Sequence, residues 1–307
     1  MQYFHPKKWL RIFKTVIADL FLNYVLPDKM YLKYRYKKVF GKKLNLKNPQ
    51  TFNEKIQWLK LYDRNPAYHN MVDKYEAKKF VADIIGEEYI IPTLGVWNKF
   101  DDIDFDKLPE QFVLKCTHDA ASTVICKDKK TFDYISAKNK LTKALKQNYY
   151  QYENRQWAYK NVRRRIIAEK FMEDGNKGEL KDYKFLVFNG KVKCSFVCTD
   201  RYSGNGLKVT FFDENWKKMP FERHYKTADN LPKPLNYDKM IMLSEKLAKE
   251  IGNPFVRIDL YDINNKIYFG EITFYPGGGT EEFTPESWDY TLGSWIKLPI
   301  NSSISNT

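Results

Sequence analysis

Cysteine and histidine are both scarce. The four cysteines, Cys116, Cys126, Cys194 and Cys198, are too few for a disulfide scaffold in a chain of 307 residues. Cys194 and Cys198 lack a second pair at zinc-finger spacing, and His5, His69, His118 and His224 are scattered, so a structural zinc site is not expected. This usage suits a reducing compartment, the cytoplasm. No apolar run is long enough to span a bilayer, and the longest, near the N-terminus, contains Asp19. No small-residue cleavage site follows it, so a signal peptide is not expected. Internal repeats and low-complexity tracts are also missing.

What the chain does have is aromatic residues, 16% of the total, enough for a well-filled globular core. Its net charge of +14 is uneven. Residues 1–50 carry twelve Lys or Arg against Asp19 and Asp28, a net +10, which leaves only +4 for the remainder. Basicity therefore belongs to an N-terminal appendage, and the near-neutral body argues against nucleic acid as a partner. Within the appendage, Trp9, Ile12, Phe13, Val16, Leu20 and Tyr24 recur at helical spacing beside Lys7, Lys8, Arg11 and Lys14. Two destinations suit such a helix. It docks on the body by its apolar stripe, or it lies on an anionic membrane surface with "KYRYKK" (33–38) adding attraction.

Along the chain, Thr51 and Glu54 predict a capping box opening a helix, and Asp73 and Gly86 bracket a second. "EEYIIP", "EQFVLKC", "STVIC" and "RRIIAEKFM" read as strands, with a Lys-rich helix over 131–148. "DYKFLVFNGKVKCSFVCTD" reads as a hairpin turning at Asn189-Gly190, and "LKVTFFD" as the next strand. A helix over 236–251 ends at Gly252, and a short one lies near 286–297. The expected organisation is a basic helical extension (1–65), a first α+β lobe (66–168) and a second α+β lobe (169–307), with a ligand cleft between the lobes.

The segment "VRIDLYDINNKIYFGEITFYPGGG" (256–279) places carboxylates inside strand-like runs. Arg257, Asp259 and Tyr261 share one face of the first run, and Phe269, Glu271 and Thr273 share one of the second. Register decides whether the faces coincide. A two-residue turn at Asn264-Asn265 puts Asp259 opposite Gly270, whereas a three-residue loop puts Asp259 opposite Glu271 and Arg257 opposite Thr273. The second register sets two carboxylates side by side, at a cost that a divalent cation reverses. The plainer alternative is a salt bridge from Arg257 to either acid.

Lys115 ends the strand "FVLKC" ahead of the small polar loop "THDAAS", and Lys74 adds a cation at a helix start. Lys74, Lys115, "EKFM", "DYKF" and "VRIDL…GEIT…PGGG" occur in the order found in ATP-grasp carboxylate–amine ligases, which the chain resembles over about residues 70–285. "NPQTFNEKIQWLKLYDRNP", "DKYEAKKFV", "DYKFLVFNG" and "YFGEITFYPGGG" are similar to the teichuronopeptide-biosynthesis branch, found among surface-polysaccharide enzymes. The resemblance implies an ATP-grasp fold, in which two α+β lobes clasp ATP.

It also implies roles. Lys74 and Lys115 bind phosphates, with Ser122 in the small-residue loop over them. The backbone of Glu169, Lys170, Phe171 and Met172 meets adenine along a strand edge, and Asp182 sits near the ribose. Asp259 and Glu271 hold Mg2+, and Arg257 touches the transferring phosphoryl group. Lys184 contacts phosphate or carboxylate, or is a solvated strand lysine. Two departures stand out: Thr273 occupies a metal position usually held by Asn, and "THDAAS" lacks the usual glycines. His118 in that loop contacts phosphate or is simply polar, and "PGGGTEEF" contacts the acceptor or is simply a loop. The implied reaction is an amide ligation through an acyl phosphate, joining an amine to a uronic acid carboxylate of a cell-surface glycan precursor on the inner membrane face. The rival is a Mg2+-dependent glycosyltransferase reading "DDIDFD" (101–106), with Asp104 as its metal ligand.

Overall fold

Thr51 and Glu54 form the reciprocal capping box that their spacing predicts: the Thr51 hydroxyl accepts from Glu54 N, and the Glu54 carboxylate accepts from Thr51 N. They open helix α2 (Phe52–Tyr62), which follows α1 (Asp28–Phe40). The protein, a computed structural model, is described at residues 24–174, 180–200 and 206–299. The helix expected from Trp9 therefore lies outside the described residues, save Tyr24. Among the described residues, no helix is long and apolar enough to cross a membrane.

Two short helices come next, α3 (Tyr68–Val72) and α4 (Glu76–Ile85). Asp73 caps the second by accepting from Tyr75 N and Glu76 N, and Gly86 closes it at φ 118°. A four-stranded antiparallel sheet follows, with β1 (Thr93–Trp97), β2 (Phe112–Cys116), β3 (Val124–Cys126) and β4 (Ile166–Lys170) in the order β1-β4-β2-β3. "EEYIIP" is not a strand. Residues 87–89 make a 3-10 turn with Tyr89 buried, and the chain straightens only past Pro92. Pro92 lacks the N–H a ladder needs, so β1 starts one residue later. Helices α5 (Tyr134–Lys146) and α6 (Tyr149–Tyr152) lie between β3 and β4.

The second sheet is five-stranded, with β5 (Asp182–Phe188), β6 (Lys191–Thr199), β7 (Lys208–Phe212), β8 (Phe255–Ile263) and β9 (Lys266–Thr273) in the order β7-β6-β5-β8-β9. Asn189 (φ 48°) and Gly190 (φ 80°) make the expected tight turn. Helix α7 (Tyr237–Ile251) stops at Gly252 in the left-handed region, and α8 (Ser287–Trp295) packs on α2.

Two large cores and a small one around Tyr31 and Leu44 result, and the large ones correct the expected partition. The lesser of the two large cores joins the first sheet to α5 through Phe112, Leu114, Leu141, Ile166 and Ala168. The largest core joins the second sheet to α7, but also to Phe52, Ile56 and Leu59 of α2 and to Val72, Ala77 and Val81 of α3 and α4. Residues 52–89 therefore pack with the second lobe, because their apolar stripes fit that sheet. The boundary expected at 168/169 falls inside β4, which pairs wholly within the first sheet. The architecture is the expected α+β one, two sheets with a cleft between them.

Candidate active site

Both registers expected for the β8–β9 hairpin prove partly right. The turn has two residues: Asn264 (φ 50°) and Asn265 (φ 62°) connect Ile263 to its partner Lys266. Yet Asp259 pairs with Glu271, and Arg257 with Thr273, because the ladder slips by one residue at Gly270. Leu260 pairs with Phe269, so Gly270 is the extra residue of a β-bulge. The bulge also separates Phe269, which joins the largest core, from Glu271 and Thr273, with which it was expected to share a face. A Cβ at Gly270 would lie 3.0 Å from both the Asp259 carbonyl oxygen and the Tyr261 ring, so glycine fits best there.

Asp259 and Glu271 thus stand side by side, and neighbouring strands add charge. Lys184 pairs across from Asp259 and donates to its carboxylate at 2.5 Å and to that of Asp182. Arg257 grips Asp259 with two bonds, at 2.6 and 2.7 Å, and reaches Glu271 at 3.9 Å. Thr273 Oγ1 donates to Glu271 at 3.1 Å, and Tyr159 OH lies 3.5 Å from the same oxygen. Three carboxylates, Asp182, Asp259 and Glu271, meet Lys184 and Arg257 here, and the Lys74 ammonium lies near enough to feel Glu271. Asp259 is only 2% exposed. Burial alone would raise its pKa, but Arg257 and Lys184 outweigh burial and hold it below the ordinary carboxylate range. Asp182 goes the other way: burial pushes it up, and among the described residues its Oδ1 is buried without a partner.

Beside this cluster lies a cleft of about 890 Å³, a size typical of small-molecule sites. Lys74, Lys115, Glu169, Lys170, Phe171, Met172 and Asp182, seven of the eight residues expected to bind nucleotide, all line it. Ser122 does not. Its hydroxyl accepts from Cys116 N at 2.7 Å and donates to Asp119 at 2.6 Å, tying the loop to its own strand. Ala120, Ala121 and Thr123 face the cleft instead. His118 is also turned inward, against the Ala144 carbonyl at 3.2 Å, and burial lowers its pKa. Lys74 donates to the Asp119 carbonyl, and burial lowers its pKa despite the pull of Glu271 and Asp119.

Nor is the expected strand edge an edge. β4 lies between β1 and β2, so Glu169 is paired on both sides and Lys170 N donates to the Pro92 carbonyl. Only Phe171 and Met172, beyond the strand, lie outside the ladder. The Glu169 side chain instead bridges Lys115 at 2.5 Å and Lys78 at 2.6 Å. Those two lysines outweigh burial and depress its pKa. Lys78 also lines the cleft, although no motif in the sequence singles it out. Its four-residue spacing from Lys74 at a helix start was the available signal.

The Pro276–Gly279 turn, reached from β9, is pinned by α2. Gln57 Nε2 donates to the carbonyls of Gly278 and Gly279, and Lys60 Nζ to those of Gly278 and Asn154. Lys60 is 1% exposed, and burial depresses its pKa strongly. No local pattern marks Gln57, Lys60 or Tyr159, since each meets its partner across a long stretch of chain. The acidic loop is a surface feature. Asp104 accepts from Asp106 N and pairs with Lys107, and none of residues 101–106 lines the cleft. Among the described residues, no group of three or more His, Cys, Asp or Glu could hold a metal ion. The residues expected to hold Mg2+, Asp259, Glu271 and Thr273, stand together on one sheet face without making such a group.

A family model described as TupA-like ATPgrasp matches residues 54–297. Among solved structures, D-alanine–D-alanine ligase from Bacillus anthracis complexed with ATP is 16% identical over 67% of this chain and 54% of its own, with a TM-score of 0.38. The ATP-grasp ligase PsnB complexed with a minimal precursor is 10% identical over 71% and 60%, with a TM-score of 0.40. An ADP complex of N5-carboxyaminoimidazole ribonucleotide synthetase is 13% identical over 72% and 50%, with a TM-score of 0.42. The chain thus spans only 50% to 60% of the length of these structures. No curated protein matches.

Proposed function

The chain belongs to the TupA-like ATP-grasp family, and from that premise we propose that it is an ATP- and Mg2+-dependent carboxylate–amine ligase. One observation carries the reading: Asp259 and Glu271 converge on one sheet face, with Arg257 between them, beside a lysine-lined cleft. Their hard oxygen ligands, with Thr273 Oγ1, suit Mg2+, which keeps several positions for water and phosphate. The Asp182 Oδ1, unpartnered among the described residues, fits the arrival of a hydroxylated ligand. Mg2+ held by Asp259, Glu271 and Thr273 would supply neutralisation of phosphate charge.

The remaining roles fall to the chain. Phe171 and Met172 flank the adenine, Asp182 meets the ribose, and Lys74 and Lys115 bind the phosphates. Lys78 and Glu169 hold Lys115 in place. Arg257 stabilises charge on the phosphoryl group as the substrate carboxylate attacks and ADP departs. An amine then attacks the acyl phosphate, the C–N bond forms, and inorganic phosphate leaves. Neither step needs a protein nucleophile, which agrees with a site rich in Lys, Arg and carboxylates and poor in His.

The acceptor side is the Pro276–Gly279 turn, whose shape Gln57 and Lys60 maintain. The finer reading is that the carboxylate belongs to a uronic acid of a cell-surface glycan precursor and that the amine is an amino acid. It rests on the likeness to the teichuronopeptide branch. The test is Mg2+-dependent ADP release against a panel of uronic acids and amino acids. The ligase reading expects one pairing to stimulate release. It fails if none does and Asp259→Asn leaves nucleotide binding untouched.

A further inference from the structure

Helix α1 is amphipathic in an unusual sense, because its outward face is both basic and apolar. Tyr31, Leu32 and Tyr36 are buried in a small cluster with Leu44. The opposite face repeats at four-residue spacing: Lys29, Lys33 and Lys37 form one row, and Met30, Tyr34 and Lys38 the next. All six are exposed, Met30 by 56% and Tyr34 by 41%, and Tyr24 and Val25 just before the helix are exposed by 61% and 64%. Residues 24–43 hold seven Lys or Arg against one acid, Asp28, which is ion-paired to Arg64 at 2.7 Å. Among the described residues, Lys29, Lys33, Lys37 and Lys38 form no ion pair. Lys38 instead lies 6.0 Å from the Tyr34 ring.

We infer that this face of α1 docks on an anionic lipid surface. A polyanion alone would satisfy the lysines but would give Tyr24, Val25, Met30 and Tyr34 nothing to enter. A bilayer interface takes both, phosphate headgroups for the ammonium groups and the acyl boundary for the apolar side chains. The inward face is already buried, so α1 would lie flat, with the body held against the membrane plane. This surface shares no residue with the cleft, so the inference stands or falls separately from the proposed reaction.

The test is co-sedimentation of the full chain with phosphatidylcholine vesicles, with and without phosphatidylglycerol. The full chain should bind only the phosphatidylglycerol vesicles, and high salt should release it. Replacing Lys29, Lys33 and Lys37 together by Gln should weaken partitioning on the order of a hundredfold. Circular dichroism and ATP binding should be unchanged. Met30→Ser with Tyr34→Ser should weaken partitioning at constant charge. Equal binding to both vesicle types would overturn the inference, as would unchanged partitioning of the triple variant. So would binding to a duplex oligonucleotide with none to vesicles.

Discussion

Asp259 and Glu271 face each other across β8 and β9 only because Gly270 is bulged out between Phe269 and Glu271. With the same two-residue turn and no bulge, Asp259 would face Gly270, and Glu271 would point to the other side of the sheet. Removing either charge tests what the pair is for. Asp259→Asn and Glu271→Gln should each lower Mg2+-dependent ADP release by about a hundredfold or more, with the Mg2+ requirement shifted upward. Steady-state rates at several Mg2+ concentrations decide it, and retention of near-normal rates by both variants would refute the metal assignment.

Gly270→Val probes the bulge itself. A side chain there presses on the Asp259 carbonyl and the Tyr261 ring, both 3.0 Å from the added Cβ. The expected cost is about 1–3 kcal/mol of stability, read from urea unfolding, with weaker Mg2+-dependent activity. Wild-type stability and activity would show that the bulge tolerates any residue.

Lys78→Met should weaken ATP binding roughly 10- to 100-fold, although no phosphate contact is assigned to Lys78. It leaves Glu169 with Lys115 alone, and the freed carboxylate draws Lys115 away from the phosphates. Isothermal titration with ATP and Mg2+ measures this, and Lys78→Arg should recover part of the loss. An unchanged affinity would reduce Lys78 to scaffolding.

The Glu169 carboxylate has a pH signature. Its folded pKa lies below the ordinary value, so its contribution to stability is present above about pH 4 and disappears as pH falls through the lower folded value. Glu169→Gln should therefore be much less stable than the wild type near pH 7, and the gap should shrink on acidification. Denaturant midpoints near neutrality and near pH 3 provide the comparison. A gap that is constant or that widens in acid contradicts the ion-pair account.

Asp104→Asn should leave ADP release within about twofold of wild type, the usual reach of a surface substitution. A glycosyltransferase coordinating Mg2+ through Asp104 would lose its activity instead. Sugar-nucleotide turnover measured on the same variant separates the two.

Much of this was legible in one dimension, because it depends on signals spanning a few residues. The capping box at Thr51 and Glu54, the Asn189-Gly190 turn and the Gly252 helix end are local steric and hydrogen-bonding facts. Arg257, Asp259 and Glu271 stand out from strand alternation, and the resemblance to ATP-grasp ligases points to Lys74, Lys115 and Asp182. What needed folded coordinates depends on partners far apart in the chain. The bulge at Gly270 reconciles a tight turn with a paired register, which no alternation pattern announces. The inward turn of Ser122 follows from its hold on Cys116 and Asp119, and the burial of the Glu169 backbone follows from β1 and β2 both choosing β4. Lys78, Tyr159, Gln57 and Lys60 join the site only when elements separated by up to 222 residues close on one another. Local sterics write the elements into the chain, whereas register and long-range charge pairing exist only once those elements meet.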